Sequence, residues 1–268
     1  MEIIFKDVTY IYKSKKLLDK INLTIESNKI TGITGEAKTV MCNILNGTKN
    51  IDNGEVIIGD IPVIKDNIKI IRKEVSMIRQ NFQSQFFTNN VKEEMMFLIS
   101  RLSYQPNDIN KKMDQALKMV GLSEKILTKN IDTLTTGEKK LLQIAVSIIY
   151  NPDIIIFDEP FVELDRINSK KIIKLIKALK ETYNKTIIIV SNNVNLLYEI
   201  TDNIVILRRG HILASGETTS VYQSNSILKE DIDIPDLIKF INLAKSKKVK
   251  LSYHRDIRDL IKDVYKHV

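Results

Sequence analysis

The length and composition of the chain are those of an ordinary globular protein. Its 268 residues suffice for one main core and a small appended unit, and 43% hydrophobic with 28% charged side chains exclude a disordered chain. The formal charge of +8 favours a polyanionic neighbour such as nucleotide phosphates, nucleic acid or an anionic membrane face. Since no apolar run approaches the roughly 20 residues that cross a bilayer, we expect any membrane role to come through a partner.

The cysteine and histidine residues limit the disulfides, metal sites and catalytic triads that the chain can form. The single Cys42 cannot form an internal disulfide, and the first residues, MEIIFKDV, lack the basic and apolar regions of a signal peptide. These features predict a cytoplasmic protein, with Cys42 as a packing residue. His211, His254 and His267 are scattered along the chain, so we expect surface residues rather than a metal cluster or a catalytic triad.

The hydrophobic pattern predicts strands of two kinds. Residues 2–8, 18–25 and 54–60 alternate apolar and polar side chains as half-buried strands do, with a turn at 52–54, which predicts an antiparallel sheet. The runs 30–34, 154–157 and 186–190 are almost continuously apolar, and each is followed by a helix-like segment. Such runs are typical of buried parallel strands in an α/β sheet.

The spacing of apolar residues predicts helices in two further regions. Residues 91–151 space their apolar side chains at three and four, which predicts an inserted helical subdomain. After Tyr222 the composition changes, and two amphipathic patterns predict a small C-terminal helical unit. In that unit we expect Ala244–Lys250 to be a solvated helix end, with a dedicated lipid contact as the alternative.

The stretch Gly32–Thr39, GITGEAKT, nearly fits the phosphate-binding pattern GxxxxGK[ST]. An apolar strand precedes it and a helix at 38–45 follows, as a P-loop requires. There the helix N-terminus would face a phosphate, Lys38 would neutralise the outer phosphates and Thr39 would ligate Mg²⁺. Because Ala37 replaces the last glycine, an ordinary strand-to-helix turn remains the alternative.

Two other stretches carry polar groups at the ends of elements. The strand 154–157 delivers Asp158 and Glu159, which suit a carboxylate for the Mg²⁺ shell and a second one that polarises water. A strand-ending acidic turn would look the same. Residues 134–138, LTTGE, form a polar turn before a helix expected at 139–150, whose N-terminus could receive an anion.

In this order and spacing, these elements make the chain resemble the ATP-binding subunit of an ABC transporter, and most closely the ATPases of energy-coupling factor importers. The resemblance implies an α/β fold: a P-loop ATPase with a mixed RecA-like core sheet, an N-terminal antiparallel β subdomain, a helical subdomain at about 91–151 and a C-terminal helical extension. It implies an ATPase domain at 1–222 and an extension at 223–268 that dimerises.

The resemblance also implies roles for single residues. Tyr12 matches the aromatic that stacks on adenine, with an exposed strand-end tyrosine as the alternative. The nucleotide-binding positions in the loop are Gly32, Gly35, Glu36, Ala37, Lys38, Thr39 and Val40. Those in the signature turn are Leu134, Thr135, Thr136, Gly137 and Glu138. The Mg²⁺ positions are Thr39, Gln80 and Asp158. The catalytic positions are Glu159, Gln80 and Asn192, which stands where the family has its switch histidine.

Several residues depart from the family pattern. If position 37 needs a positive φ, the Ala37 Cβ costs on the order of 1 to 2 kcal/mol. Glu36 places a carboxylate beside an anion-binding loop, so it must point away or repel the ligand. Asn192 cannot become a cation, and losing one transition-state contact commonly costs roughly 10²- to 10³-fold in rate. Thr136 replaces the first signature glycine, and these departures together predict slow hydrolysis.

Each site in this family joins the P-loop of one subunit to the signature turn of another, so the resemblance implies a dimer. We expect a heterodimer with a more complete paralogous ATPase, with a homodimer as the alternative. The segments 80–87 and 91–94 would face a transmembrane subunit, placing the chain at the cytoplasmic face of the cell membrane.

Two alternatives to a transport ATPase remain. One is a weak or inactive regulatory partner of a paralogous ATPase. The other is a soluble ABC protein that acts on nucleic acid or ribosomes. That class usually carries two ATPase domains or a long coiled-coil insertion, which the sequence lacks, so we expect no nucleic acid partner.

Overall fold

A computed structural model describes residues 1–81, 86–99, 106–228 and 230–266. The strands in this part of the chain are β1 (Ile3–Tyr12), β2 (Lys15–Ile25), β3 (Ile30–Gly35), β4 (Asn53–Ile58), β5 (Ile61–Pro62), β6 (Val75–Ile78), β7 (Ile154–Asp158), β8 (Thr186–Val190), β9 (Asn203–Arg208) and β10 (His211–Glu217). The helices are α1 (Lys38–Leu45), α2 (Ile68–Glu74), α3 (Val91–Ile99), α4 (Pro106–Val120), α5 (Thr136–Ile148), α6 (Arg166–Glu181), α7 (Val194–Ile200), α8 (Thr218–Gln223), α9 (Asn225–Leu228), α10 (Asp236–Ser246) and α11 (Ile257–Tyr265).

The alternating segments near the N-terminus form an antiparallel sheet, as predicted. Its strand order is β2-β1-β4-β5, and the inward side chains of β1, such as Ile3 and Phe5, are buried. The turn expected at 52–54 is wrong in part, because Asn53 and Gly54 already belong to β4. Gly54 has φ 90°, and a Cβ there would lie 2.5 Å from the Asp7 carbonyl, so the glycine allows β4 to approach β1 closely.

The continuous apolar runs form the centre of a second, six-stranded sheet. Its order is β10-β9-β3-β8-β7-β6, with β10 antiparallel to β9 and the other neighbours parallel. The prediction of buried parallel strands is confirmed, since every residue of β7 and β8 is buried. Parallel strands end at one edge of a sheet, so Gly35, Ile78, Asp158, Val190 and Arg208 lie along the same edge.

Three helices, α3, α4 and α5, lie within the stretch 91–151 whose periodicity predicts helices. Helices α3, α4 and α5 share one buried cluster that includes Met95, Leu117 and Leu142. Helix α5 runs from Thr136 to Ile148 and not over 139–150, because Thr135 and Glu138 form a capping box that starts the helix three residues earlier.

The C-terminal residues form the two expected helices. Helices α10 and α11 close a small cluster of Ile241, Leu251 and Leu260, while Ile238 is buried in the main core. Helix α10 ends at Ser246, and Lys247, Lys248 and Lys250 after it are exposed, as expected of a solvated helix end. Within the described ranges, no helix combines the length and apolar character needed to cross a bilayer.

Candidate active site

The phosphate-binding loop joins β3 to α1. Gly35 has φ 96°, and a Cβ there would lie 1.9 Å from the Leu207 carbonyl oxygen of β9, so only glycine fits. Ala37 has φ 59° and ψ 11°, which places a non-glycine residue in the left-handed region and supports the expected strain. The Ala37 methyl cannot cap α1, so the first amides of the helix face the loop without a side-chain acceptor from that position.

Three predicted residues meet at this loop. Lys38 Nζ donates to Asn192 Oδ1 at 2.7 Å and lies 4.0 Å from Glu159 Oε1. The backbone N of Asn192 donates to Glu159 Oε1 at 2.9 Å. They lie together because β3, β8 and β7 are neighbours in the sheet, and each strand delivers one of them just beyond its carboxyl end.

Glu159 is held in one orientation by the end of β8. Ser191 Oγ donates to Glu159 Oε2 at 2.7 Å, and the backbone N of Glu159 donates to the Val190 carbonyl at 2.8 Å. The backbone of Glu159 has φ 47°, a costly conformation for a non-glycine residue. A carboxylate fixed in this way is suited to orienting or deprotonating a water molecule.

Asp158 is buried beside Glu159. Burial raises its pKa above the ordinary value, and the charge of Glu159 adds to the effect, while Lys38, Arg79 and Lys140 lower the pKa. Burial likewise raises the pKa of the Cys42 thiol, and the buried Cys42 is a packing residue as predicted.

The predicted Mg²⁺ positions carry donor groups that fit a hard cation. The Thr39 hydroxyl, the Asp158 carboxylate and the Gln80 amide oxygen are the ligand types that Mg²⁺ prefers. A divalent cation bound at Asp158 would favour the charged form of this buried carboxylate. Across the described ranges, no group of three or more His, Cys, Asp or Glu side chains could hold a metal. A site here would therefore use hydroxyl and amide oxygens as well.

Gln80 follows β6 at the same edge of the sheet and is exposed. Residues 82–85 of the predicted membrane-facing segment lie outside the described residues. Beyond them, Phe87 N and Thr88 N each donate to Glu94 Oε2 at 2.9 Å, and the exposed Phe87 ring stacks on Phe97 with centroids 4.9 Å apart. The Glu94 carboxylate thus bonds the chain just before α3 to the first turn of that helix, and the Phe87 side chain stays exposed on the surface.

The signature turn forms a separate helix N-terminus. The Thr135 amide N donates to Glu138 Oε2 at 2.9 Å, and this bond is the first cause of the lowered pKa of Glu138. Gly137 packs against α6, since a Cβ there would lie 2.6 Å from Asn168 Nδ2. Thr136 is exposed on the first turn. Within the described residues, no hydrogen bond or ion pair joins this turn to Lys38, Glu159 or Asn192.

Three other residues that were predicted to bind nucleotide are Tyr12, Gly32 and Glu36. Tyr12 ends β1 with an exposed ring, and Lys13 Nζ lies 5.5 Å from its centroid. Gly32 is buried within β3, where a Cβ would lie 2.8 Å from Ile204 Cδ1. Glu36 is exposed and lines a cavity of about 380 Å³ together with Asp231 and Asp233, so its carboxylate is not buried in the loop.

Two residues that sequence reasoning missed complete the site. Ser191 orients Glu159, and the signal for it was a polar residue directly after a buried strand. Lys140 is 1% exposed and donates to the Arg79 carbonyl at 3.0 Å, next to Gln80. Its signal was a lysine on the apolar face of α5, three residues after Gly137.

His254 also differs from a plain surface residue. It is partly buried, and its Nε2 lies 3.0 Å from Asp263 Oδ2 in the C-terminal unit. His211 is exposed, as expected, and His267 lies outside the described residues.

Comparison with known proteins agrees with this geometry. Residues 18–162 match the family model described as ABC transporter. Similar proteins include the energy-coupling factor transporter ATP-binding protein EcfA2 of Acetivibrio thermocellus, 29% identical over 86% of this chain and 85% of the relative. EcfA2 of Clostridioides difficile is also 29% identical, over 94% of this chain and 92% of the relative.

Solved structures give the same fold. CbiO1 from Clostridium perfringens, described as part of the ABC transporter complex cbiONQ, superposes with a TM-score of 0.77 at 23% identity, covering 92% of this chain and 96% of that one. A dimeric bacterial ABC transporter cassette superposes with a TM-score of 0.72 at 25% identity, covering 81% and 98%. The chain therefore belongs to the ABC transporter family and is an ATPase of that family.

Proposed function

We propose that the chain is the ATP-binding subunit of an energy-coupling factor type importer and couples MgATP binding and hydrolysis to substrate uptake. The observation that carries this proposal is the meeting of Lys38, Glu159 and Asn192 at the ends of three adjacent strands. The similarity to EcfA2 proteins over most of the chain supports the importer class.

In the proposed site each residue has one task. Lys38 and the first amides of α1 bind the β- and γ-phosphates. Thr39, Gln80 and Asp158 would hold Mg²⁺, which supplies charge neutralisation between the phosphates when bound. Glu159, held by Ser191, accepts the proton of the attacking water or orients that water.

We further propose that this site turns over slowly. Asn192 can donate a hydrogen bond to a γ-phosphate oxygen but adds no positive charge to the transition state. In the structure its side-chain oxygen accepts one hydrogen bond from Lys38, whose ammonium has two further N–H donors for phosphate oxygens. The strained Ala37 adds a cost within the same loop.

The site becomes complete in a dimer, in our proposal with a paralogous ATPase. The signature turn at 134–138 would face the nucleotide of the partner, because nothing within the described residues joins it to the Lys38 side. Residues 1–222 would form the ATPase domain and 223–268 the dimerising extension. The exposed Phe87 and its neighbours would contact a transmembrane subunit at the cytoplasmic face of the membrane.

A second candidate is a weak or inactive regulatory partner of a paralogous ATPase. The left-handed Ala37 and the neutral Asn192 favour it, because both lie at the phosphates. The two candidates differ in one measurable quantity, the γ-phosphate released at this site.

The test uses Glu159→Gln in the full chain, alone and co-expressed with a more complete paralogue. Removing a general base commonly costs about 10²- to 10⁴-fold, so we expect kcat to fall at least 100-fold while ATP binding persists. Glu181→Gln, an exposed position at the end of α6, is the matched control. Unchanged phosphate release in the Glu159→Gln variant would favour the regulatory candidate.

Restoring the histidine tests the cause of slow turnover. We expect Asn192→His to raise kcat about tenfold or more, since a transition-state contact is worth roughly 10²- to 10³-fold. Asn192→Ala, which also releases Lys38 but adds no donor, should show no such rise. Equal rates in the two variants would assign the slow turnover to Ala37 or Thr136 instead.

A further inference from the structure

Helix α7 starts at Val194, two residues after Asn192, so its placement sets the placement of that residue. Asn193 caps α7: its Oδ1 accepts from Leu196 N at 3.1 Å, and its own N donates to Ser191 Oγ at 3.1 Å. Ser191 in turn donates to Glu159. With only seven residues, α7 is too short to be stable on its own, and contacts with other elements must position it.

The first of these contacts comes from the C-terminal extension. Asn195 Nδ2 donates to Asp236 Oδ2 at 2.9 Å, and Asp236 N donates to Asn195 Oδ1 at 2.7 Å. The Asn195 side chain thus forms a reciprocal pair with the side chain and the backbone N of Asp236, joining the first turn of α7 to the first residue of α10. Asn195 is only three positions from Asn192.

The second contact holds the other end of α7. Arg255 NH1 donates to the Thr201 carbonyl at 2.8 Å, its Nε donates to Thr219 Oγ1 at 2.8 Å, and it forms an ion pair with Glu217. Thr201 Oγ1 donates back to the Leu197 carbonyl at 2.7 Å. Arg255 precedes α11, so both ends of α7 are bonded to the extension.

We propose that Asp236 and Arg255 are positioning residues for ATP hydrolysis, which hold α7 so that Asn192 stays at Lys38 and Glu159. Asp236 lines an apolar groove between α10 and α11, and Arg255 lies two residues before α11. The inference rests on the proposed role of Asn192 in hydrolysis.

The test exchanges the two members of the reciprocal pair. The Asn195→Asp variant places two carboxylates side by side, which repel each other. The double variant Asn195→Asp, Asp236→Asn again has one amide and one carboxylate, with their positions exchanged. In the full chain we expect Asn195→Asp to speed amide hydrogen exchange in residues 194–200 about tenfold. We expect kcat to fall about three- to tenfold with KM for MgATP within about twofold, and the double variant to recover both exchange and kcat.

The arginine is tested with a matched pair. Arg255→Gln should change exchange and kcat in the same direction as Asn195→Asp, while Arg258→Gln, at an exposed arginine that pairs with Asp256, should change neither. A lower melting temperature with unchanged kcat and exchange would show a purely structural role and overturn the inference. So would a kcat loss that the double variant does not recover.

The experiment separates failure of the inference from failure of the proposed function. If the parent chain co-expressed with the paralogue hydrolyses no ATP, the proposed function fails, and hydrogen exchange in residues 194–200 still decides whether Asp236 and Arg255 hold α7. If the parent hydrolyses ATP and Asn195→Asp leaves exchange and kcat unchanged, the inference alone fails.

Discussion

Ala37 is the residue at which the phosphate-binding loop carries measurable strain. Its φ of 59° is an ordinary value for glycine and a costly one for a residue with a Cβ. The loop nevertheless keeps its path, because Gly35 and the first turn of α1 fix the residues on either side.

We expect Ala37→Gly to raise the free energy of unfolding by about 0.5 to 1 kcal/mol, since the relieved strain exceeds the added freedom of the unfolded chain. Urea unfolding checks the change, and ATP titration should show tighter binding. Ala178→Gly, the same substitution inside α6, should instead lower stability by about 1 kcal/mol. Destabilisation by both variants would show that residue 37 is not strained.

Single residues of the site were predictable where a motif spans a strand and the loop after it. Lys38 and Glu159 follow buried strands in patterns that carry their own chemistry. The bond between Lys38 and Asn192 was not predictable, since the residues are 154 positions apart and meet only because β3 pairs with β8. Ser191 was missed for the same reason, because its partner Glu159 follows β7, 32 positions earlier in the chain.

At the scale of elements, α5 ties the signature turn to the end of β6. Lys140 and Gln143 both donate to the Arg79 carbonyl, at 3.0 and 3.5 Å, directly before Gln80. Burial lowers the pKa of Lys140 to about 8, against the opposing effects of Asp158 and Glu163.

This lowered pKa makes stability depend on pH. Between about pH 8 and the ordinary lysine pKa of 10.5, the unfolded chain binds more protons at Lys140 than the folded chain does. The free energy of unfolding contributed by Lys140 therefore rises with pH in this window, by on the order of 3 kcal/mol.

Lys140→Met should remove that rise, so the parent should gain stability relative to the variant from pH 8 to 10.5. Chemical denaturation at several pH values measures the difference, with Lys262→Met at an exposed lysine as comparison. If the free energy of unfolding of the parent and of Lys140→Met changes equally with pH, the lowered pKa of Lys140 is contradicted.

Among elements, the continuous apolar strands were the most predictable, and the edge strands the least. The runs in β3, β7 and β8 are buried on both faces, so most of their positions are apolar or glycine. The edge strands β6 and β10 were not predicted, because β6 has four residues and β10 is largely exposed. The interior strand β9 was not predicted either. Their pairing depends on neighbours that are distant in sequence.

At the scale of the whole molecule, helices α10 and α11 leave an apolar face. Phe240, Ile257, Ile261 and Tyr265 are exposed there and line a groove of about 540 Å³. Exposed apolar patches of this kind mark interaction surfaces, which agrees with the proposed dimerising role of residues 223–268.

We expect Ile261→Asp to weaken dimer formation at least about tenfold, because a carboxylate would be buried without a partner at the interface. Sedimentation of the full chain, alone and with a paralogue, measures the association. Ile70→Asp on α2 is the matched control, since Ile70 is 48% exposed and Ile261 is 47% exposed. Equal association of the two variants would place the dimer contact elsewhere.

The fold class was predictable from the order of the motifs, whereas the attachment of the extension to α7 was not. The reciprocal pair of Asn195 and Asp236 joins residues 41 positions apart through polar side chains that no periodic pattern distinguishes from solvated ones.

The packing of Gly35 against Leu207 has a consequence for how this loop can change over time. A methyl group at residue 37 strains one peptide unit, but a methyl group at residue 35 would collide with a backbone oxygen of the neighbouring strand. Position 37 can therefore change between alanine and glycine with only a small effect on stability. Position 35 is tied to the integrity of the sheet, so even a descendant that has ceased to hydrolyse ATP would have to keep its glycine.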